Sequence, residues 1–308
     1  MVAWAVRACW PIFGVVAACA TLAAQPPFRA ERPFRTGIEV TSITATVTDG
    51  EGHLVVDLPR EAFEVFEDGD RQPITQFTRE RVPVGLGVLL DISDSMFGRR
   101  IQESREAIDQ FMLNRLDPDD EYAIIGFNHQ HRVLTSWTTD RSVAARVLKP
   151  VIPSGSTALY DAVMAALPLV DRRTRQRPAL VIISDGADTA SDTTIRQVRN
   201  ALIQSEAFVY AIAIDPLGTP PLNARVNLPA LAELTDQSGG RTLVVRSTSD
   251  MLTALGEIAE ELDNQYLLGY VPPSPDDGAF HGIRVRIRDH PYRVRARNGY
   301  LAVPARRR

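Results

Sequence analysis

The chain has 308 residues, of which 44% are hydrophobic and 23% are charged, and its formal net charge is −4 at pH 7. These proportions are those of a globular protein, and the length allows one large domain or two smaller ones. The small negative net charge excludes a strong basic field of the kind that attracts nucleic acid, so we expect no nucleic-acid partner. Both cysteines, Cys9 and Cys19, lie near the N-terminus. The rest of the chain therefore has neither an internal disulfide nor a thiol metal site.

Residues 1–24 predict a signal peptide. The apolar run from Ala8 to Leu22 is too short to span a bilayer comfortably, and Ala18 to Ala20 gives a small-residue cleavage pattern. The stretch that ends in Cys19 also resembles a bacterial lipobox, in which Cys19 would carry a lipid anchor. An uncleaved anchor helix is the alternative, which the short apolar run disfavours. We therefore expect an exported protein, periplasmic or extracellular, with no transmembrane segment in the mature chain.

The next segments predict a linker and a small β module. Residues 25–37 are rich in Pro and Arg and read as a linker. Residues 38–80 contain short apolar stretches, including Leu54 to Val56, separated by turn signals such as Asp68 to Asp70. This pattern predicts an N-terminal module of short strands.

From residue 83 to residue 262 the pattern changes to alternating strands and helices, which predicts a mostly parallel sheet with helices on both faces. Three runs are apolar throughout, as expected for strands buried on both faces. These runs are Val84 to Leu90, Ala179 to Ile183 and Phe208 to Ile214. Helices are predicted over residues 99–116, 141–148, 158–170, 193–205, 228–237 and 249–262, and a hairpin around Asn128.

Residues 264–302 return to β structure and precede a basic tail at 303–308. Neither flanking β segment is large enough to bury a core alone, so we predict that residues 264–302 pair with the N-terminal module. The predicted fold class is thus α/β, with a Rossmann-like domain inserted between two halves of a β-sandwich-like module. Six arginines predict a solvated strand face, with a surface for acidic partners as the alternative. They are Arg284, Arg286, Arg288, Arg293, Arg295 and Arg297.

Oxygen-bearing side chains follow the first buried strand. Asp91, Ser93 and Ser95 are expected in the loop at its carboxyl end, where open α/β sheets place their ligands. One carboxylate and two hydroxyls suit a small hard cation such as Mg²⁺. The alternative is that these residues only cap the next helix, since Asp and Ser are preferred N-caps.

Two further loops carry similar side chains. Gly155 and Thr157 precede a predicted helix that contains Asp161, and Ser184 and Asp185 follow the second buried strand. Each loop has a simpler explanation when taken alone. Thr157 could be an N-cap, and the Asp-Gly pair that begins at position 185 could form a tight turn.

Taken together and in this order, the patterns Asp-x-Ser-x-Ser, Gly-Ser-Thr-x-Leu-x-Asp and Ser-Asp-Gly resemble the von Willebrand factor type A (VWA) domain family. The resemblance covers residues 83–262. The flanking segments Phe63 to Gly69 and Tyr266 to Tyr270 resemble those of the bacterial secreted VWFA-related group. The family resemblance implies a metal-ion-dependent adhesion site. Its ligands would be Asp91, Ser93, Ser95, Thr157 and Asp185. Three further residues would hold these ligands in place, namely Asp161, Ser184 and Gly155.

This resemblance implies an exported protein-binding module of the adhesion or scaffold type. A Mg²⁺ ion, or Mn²⁺ or Ca²⁺ in its place, would accept a carboxylate from a protein partner. We expect no enzymatic activity. The alternative is a metal-dependent hydrolase or phosphatase that uses Ser93 or Asp91. Ser93 lacks the Gly-x-Ser-x-Gly elbow of a hydrolase nucleophile, and Asp91 lacks the second acid of a phosphatase Asp-x-Asp pair.

Overall fold

A computed structural model describes residues 40–215, 226–274 and 277–302. The predicted signal peptide, linker and basic tail lie outside these residues. The strands are β1 (Thr41–Thr48), β2 (Phe63–Glu67), β3 (Asp70–Gln72), β4 (Gln76–Thr78), β5 (Val84–Asp91), β6 (Glu121–Phe127), β7 (His131–Thr138), β8 (Arg177–Ser184), β9 (Phe208–Ile214), β10 (Thr242–Val245), β11 (Tyr266–Tyr270), β12 (Phe280–Ile287), β13 (Arg293–Ala296) and β14 (Gly299–Leu301). The helices are α1 (Arg99–Asn114), α2 (Val143–Leu148), α3 (Leu159–Val170), α4 (Ile195–Gln204), α5 (Leu228–Asp236) and α6 (Thr248–Asp263), with 3-10 turns at Arg60–Ala62 and Asp94–Met96.

A six-stranded sheet forms the centre of the α/β domain, with the strand order β10-β9-β8-β5-β6-β7. All neighbours are parallel except β7, which pairs antiparallel with β6 as the second strand of the predicted hairpin. The strands β5, β6 and β9 are buried at every residue. Their largely apolar sequence is therefore explained by coverage on both sheet faces.

Helices cover both faces of this sheet because alternate residues of each strand point in opposite directions. Val88 and Leu90 join the core formed with α1, α2 and α6. Leu89 joins the opposite core, formed with α3, α4 and α5. Full burial of each such side chain contributes roughly 1.5–3 kcal/mol. The predicted α/β fold class is confirmed.

The β module consists of two four-stranded sheets, β13-β1-β11-β4 and β14-β12-β2-β3. Each sheet combines two strands from before the α/β domain with two from after it. Thus β1 pairs with β11 and β13, and β2 pairs with β12, all antiparallel. A separate apolar core lies between the sheets, with Ile43, Phe63, Tyr266 and Val285 among its members. The α/β domain is therefore inserted within a module that both ends of the described chain build.

Two details of the module differ from the sequence-based prediction. Residues 54–56 do not form a strand, since only Leu54 makes an isolated bridge with Thr48. Of the six arginines, Arg284, Arg286, Arg288 and Arg293 are exposed, whereas Arg295 and Arg297 are half-buried and turn towards the α/β domain. There Arg295 donates to Glu261 at 2.6 Å, and Arg297 donates to the carbonyl of Ile203 at 3.1 Å.

A buried polar network joins the module to the amino edge of the six-stranded sheet. Arg177, the first residue of β8, donates to the carbonyl of Leu262 at 2.8 Å and to the side chain of Gln265. The Gln265 amide donates in turn to Tyr210 at 3.1 Å and to Thr46 at 3.2 Å. These bonds satisfy polar groups that burial would otherwise leave unpaired. In the described part of the chain, no helix combines the length and the apolar character needed to cross a membrane.

Candidate metal centre at the carboxyl edge of the sheet

Two acidic residues meet where neighbouring strands of the sheet end. Asp91 is the last residue of β5, and Asp185 follows the last residue of β8, which pairs with β5 in parallel register. Both side chains are buried, with 0% and 1% of the residue exposed. Ser184 directly precedes Asp185 in the chain, and its hydroxyl donates to Asp91 Oδ2 at 2.7 Å. The parallel pairing thus brings two carboxylates from positions 94 residues apart to one edge.

The loop after β5 directs its hydroxyls towards the same region. Asp91 Oδ1 accepts a hydrogen bond from the amide of Ser93 at 2.9 Å, and the hydroxyls of Ser93 and Ser95 share one at 3.1 Å. The capping explanation is wrong for these residues. The helix α1 begins after Gly98 without a side-chain cap, and Ser93 makes no cap bond to the 3-10 turn that follows it.

The loop that carries Thr157 is fastened to the loop after β5. The amide of Asp94 donates to the carbonyl of Gly155 at 2.9 Å, and the amide of Ser154 donates to the carbonyl of Ile92 at 2.9 Å. Gly155 has a φ of +79°, and a Cβ there would lie 2.6 Å from His129 Nδ1. This position therefore requires glycine for both backbone and packing reasons.

Thr157 does not cap the helix that follows it. The N-cap of α3 is Ala158, and this end of the helix has no side-chain cap. Thr157 is 4% exposed, and its hydroxyl makes no hydrogen bond to any residue that the structure describes. Its backbone carbonyl accepts the amide of Thr189 at 2.8 Å, which fixes its place beside the loop after β8. A nearly buried hydroxyl is thus left free to bind a ligand.

The surroundings of the two carboxylates favour a bound cation. Burial raises the pKa of Asp91 to about 6; hydrogen bonds from Ser93 and Ser184 oppose this shift, and the charge of Asp185 adds to it. Arg100 lies near the second carboxylate, with Nη1 3.4 Å from Asp185 Oδ2, and it donates to the carbonyl of Ser95 at 2.7 Å. Sequence reasoning missed Arg100, because one arginine in the first turn of a helix carries no distinctive signal.

The predicted supporting residues have different positions. Ser184 touches Asp91 directly, and Gly155 holds the Thr157 loop in place. Asp161 instead accepts the amides of Thr193 at 2.9 Å and Asp192 at 3.0 Å, and it makes no hydrogen bond to the five predicted ligands within the described residues. Its role is to hold the loop after β8 against the start of α3.

The residue set fits a divalent cation. Two buried carboxylates balance a charge of 2+, and three hydroxyls in adjoining loops supply neutral oxygens. All five donors are oxygen atoms, which Mg²⁺ prefers. Within the described residues Ser93 bonds only to its neighbours in this loop, so no histidine is placed to activate it as a nucleophile.

A comparison with known families identifies the α/β domain. Residues 86–187 match the family model of the von Willebrand factor type A domain. This stretch of the chain is a VWA domain. This finding confirms the resemblance noted in the sequence, and VWA domains are typically protein-interaction modules that lack enzymatic activity. The matched stretch spans both acidic residues, from the middle of β5 to just beyond the end of β8.

Its curated relatives are much larger proteins. The mouse inter alpha-trypsin inhibitor, heavy chain 4, is 24% identical over 214 residues, which are 66% of this chain and 22% of that protein. The human inter-alpha-trypsin inhibitor heavy chain H4 is 24% identical over 201 residues, or 60% of this chain and 21% of that protein. The chain thus spans about a fifth of the length of the curated relatives it matches.

Solved structures show the same fold. A von Willebrand factor type A protein from Catenulispora acidiphila is 12% identical, with a TM-score of 0.52, and the match covers 85% of this chain and 71% of that one. An aerotolerance-related membrane protein from Bacteroides fragilis is 20% identical, with a TM-score of 0.50, over 58% of this chain and 98% of that one. At these identities the likeness extends to the fold alone.

Proposed function

We propose that this VWA protein is an exported binding module that holds a divalent cation and recognises an acidic group of a partner protein. The cation ligands would be Asp91, Ser93, Ser95, Thr157 and Asp185. The observation that carries the proposal is the pair of buried carboxylates beside hydroxyls that cap no helix. Carboxylates removed from water require a compensating positive charge, and Arg100 contacts only one of the two.

The chemistry of the donor set favours Mg²⁺, or Mn²⁺ or Ca²⁺ in its place. A bound Mg²⁺ would supply a compact positive charge with six oxygen positions, some of them filled by water. Five side-chain ligands would leave one of the six oxygen positions for water or for a partner. A carboxylate of the partner would gain Coulomb attraction at short range, which is large next to buried charges.

The rim of the site supports a protein partner. Phe97 and Ile152 are each 73% exposed. Phe97 lies two residues after Ser95, and Ile152 lies in the loop that leads to Thr157. An acidic residue flanked by apolar side chains would match this arrangement of a charged centre and an apolar rim.

Metal-dependent capture tests the proposal. The immobilised protein is exposed to an envelope extract in Mg²⁺ and in EDTA, and the retained proteins are compared for the wild type, Asp185→Ala and Asp94→Ala. Asp94 is exposed and lies between the two ligand serines, so it matches the change in charge without removing a ligand. We expect a protein retained by the wild type and Asp94→Ala only in Mg²⁺, and absent with Asp185→Ala. Equal capture in EDTA would argue against the metal.

Export is proposed from the leader sequence. Cell fractionation and mass spectrometry of the mature N-terminus would separate the two processing routes. Cleavage by an ordinary signal peptidase gives an unmodified N-terminus, whereas lipobox processing gives a lipidated Cys19 that Cys19→Ala abolishes. Recovery of the uncleaved chain in the cytoplasm would contradict export.

A further inference from the structure

A second cluster of ionisable groups lies in the β module, far in sequence from the VWA ligands. The strands β2 and β12 pair antiparallel, with Glu67 opposite Ile283. The turn after β2 is fastened to β12 by two bonds: Gly282 donates its amide to Asp68 Oδ1 at 2.8 Å and accepts the amide of Asp68 at 2.9 Å. Strand register therefore places Glu67 and Asp68 beside His281, although more than 200 residues separate them in the chain.

His281 is surrounded by carboxylates on both sides of its ring. Its Nδ1 lies 2.7 Å from Asp68 Oδ2 and 3.4 Å from Glu67 Oε1, and its Nε2 lies 3.1 Å from Asp277 Oδ1. The ring stacks on Tyr300 with centroids 5.5 Å apart, so its orientation is fixed by packing. One ligand atom from each of Glu67, Asp68 and His281 lies within 4.8 Å of the others.

The cluster lacks positive charge. Among the described residues no Arg or Lys forms an ion pair with Glu67, Asp68 or Asp277. Even a protonated His281 would leave three carboxylates with a net charge of −2. The cost falls mainly on Glu67, whose side chain is only 2% exposed, because Asp68 and Asp277 are 53% and 41% exposed.

An unpaired oxygen points to a missing ligand. Glu67 Oε2 is buried without a hydrogen bond of ordinary geometry in the described part of the protein, and the hydroxyl of Tyr270, which lies beside this carboxylate, is also buried without one. Buried polar atoms are almost always paired, so an unpaired carboxylate oxygen beside two other ligand groups is unusual. A cation bound there would satisfy it.

We propose that Glu67, Asp68 and His281 form a divalent-cation site, distinct from the VWA site and suited to Zn²⁺. The imidazole would bind through Nδ1, which faces Glu67 and Asp68. Asp277 would accept the Nε2–H proton and so orient the ring, as carboxylates commonly do behind metal-binding histidines. A nitrogen with two carboxylate oxygens suits Zn²⁺, whereas the all-oxygen VWA donor set suits Mg²⁺.

Such a site would join the two halves of the module. Glu67 and Asp68 precede the α/β domain in the chain, whereas His281 and Asp277 follow it. A cation that binds only the folded arrangement stabilises it by mass action. The proposed ion would therefore link the segment before the α/β domain to the segment after it and stabilise the folded β module.

The site can be tested by Zn²⁺ titration of the full chain in excess Mg²⁺, followed by calorimetry. We compare the wild type with His281→Ala and Glu67→Gln, and with His53→Ala as the control. His53 lies in another acidic turn, but its side chain is 74% exposed. We expect one Zn²⁺ equivalent fewer for His281→Ala and Glu67→Gln, full stoichiometry for His53→Ala, and about 10- to 100-fold weaker binding for Asp277→Asn.

A second measurement keeps the test independent of folding. Zn²⁺ should shift the Nδ1 resonance of His281 in imidazole ¹H–¹⁵N spectra of the wild type, with no variant required. An unchanged Nδ1 resonance, or equal Zn²⁺ stoichiometry in the wild type and both ligand variants, would overturn the proposal and leave the cluster as a salt-bridge network. Loss of Mg²⁺ binding with Asp185→Ala would be unaffected by either result.

Discussion

Replacing Asp91 by Asn should stabilise the metal-free protein and abolish its response to Mg²⁺. Burial, reinforced by the charge of Asp185, raises the pKa of Asp91 from 3.8 to about 6. Since one pKa unit corresponds to about 1.4 kcal/mol, an ionised Asp91 costs the folded protein about 3 kcal/mol at pH 8. Asn removes the charge and keeps an oxygen that can accept the amide of Ser93.

The pH dependence follows from the state that binds the proton more tightly. Because Asp91 has a higher pKa in the folded state than in the unfolded state, its ionisation destabilises the folded protein. This destabilisation is fully present above pH 6 and disappears as the pH falls towards 3.8. In EDTA, Asp91→Asn should therefore exceed the wild type in free energy of unfolding by up to about 3 kcal/mol at pH 8. At pH 5 the difference should fall to about half of that.

Mg²⁺ should offset most of this difference in stability. At 100 times its dissociation constant, a ligand that binds only the folded state stabilises it by about 2.7 kcal/mol. The wild type should gain this amount at pH 8, and Asp91→Asn should gain nothing. Urea unfolding in EDTA and in Mg²⁺ measures both effects, with Asp94→Asn as the matched control that should behave like the wild type. Equal stability of the wild type and Asp91→Asn in EDTA, or an equal gain in Mg²⁺, would refute the reasoning.

Two further substitutions separate binding from folding. Ser184→Ala removes the hydroxyl that donates to Asp91 Oδ2 at 2.7 Å, so calorimetry should show Mg²⁺ binding weakened about 10- to 100-fold in a protein that still unfolds cooperatively; unchanged affinity would exclude this supporting role. Arg81→Met leaves the carboxylate of Asp120, which is 4% exposed and 2.6 Å from Arg81, without its main partner. Urea unfolding should show a loss of about 3 kcal/mol, against less than about 0.5 kcal/mol for Arg79→Met, whose ion pair is exposed. Equal losses would contradict the importance of burial.

Much of the fold was predictable because local patterns agreed with the global arrangement. Apolar runs such as Val84 to Leu90 identify strands covered on both faces. The insertion followed from size, since neither β segment could bury a core alone. The strand β14 was missed because Gly299–Leu301 is three residues long and has no periodicity of its own. It forms only because β12 offers a partner edge.

Arg295 and Arg297, near the end of β13 and just beyond it, show where sequence patterns fail. Their alternation matches that of β12 and predicts the same exposure. Arg295 and Arg297 are nonetheless drawn inwards, because Glu261 and the carbonyl of Ile203 lie within reach on α6 and at α4. These acceptors are 34 and 94 residues away in the chain. Their positions depend on how the two parts of the molecule pack, which no local pattern records.

The candidate metal centre was more accessible to sequence reasoning than its surroundings. Five ligand types in a fixed order on three loops form a distinctive pattern, and each lies where a parallel strand ends or a helix begins. Arg100 and the Glu67–His281 cluster have no such pattern. They depend on the first turn of a helix and on the pairing of β2 with β12, respectively.

The buried network around Arg177 places the β module at the amino edge of the six-stranded sheet. It joins the β module to the strand starts, whereas Asp91 and Asp185 lie at the strand ends. An eight-residue strand such as β5 is about 25 Å long, so the module and the acidic pair occupy opposite poles. An attachment made through the β module would therefore leave the edge that carries Asp91 and Asp185 accessible to a partner.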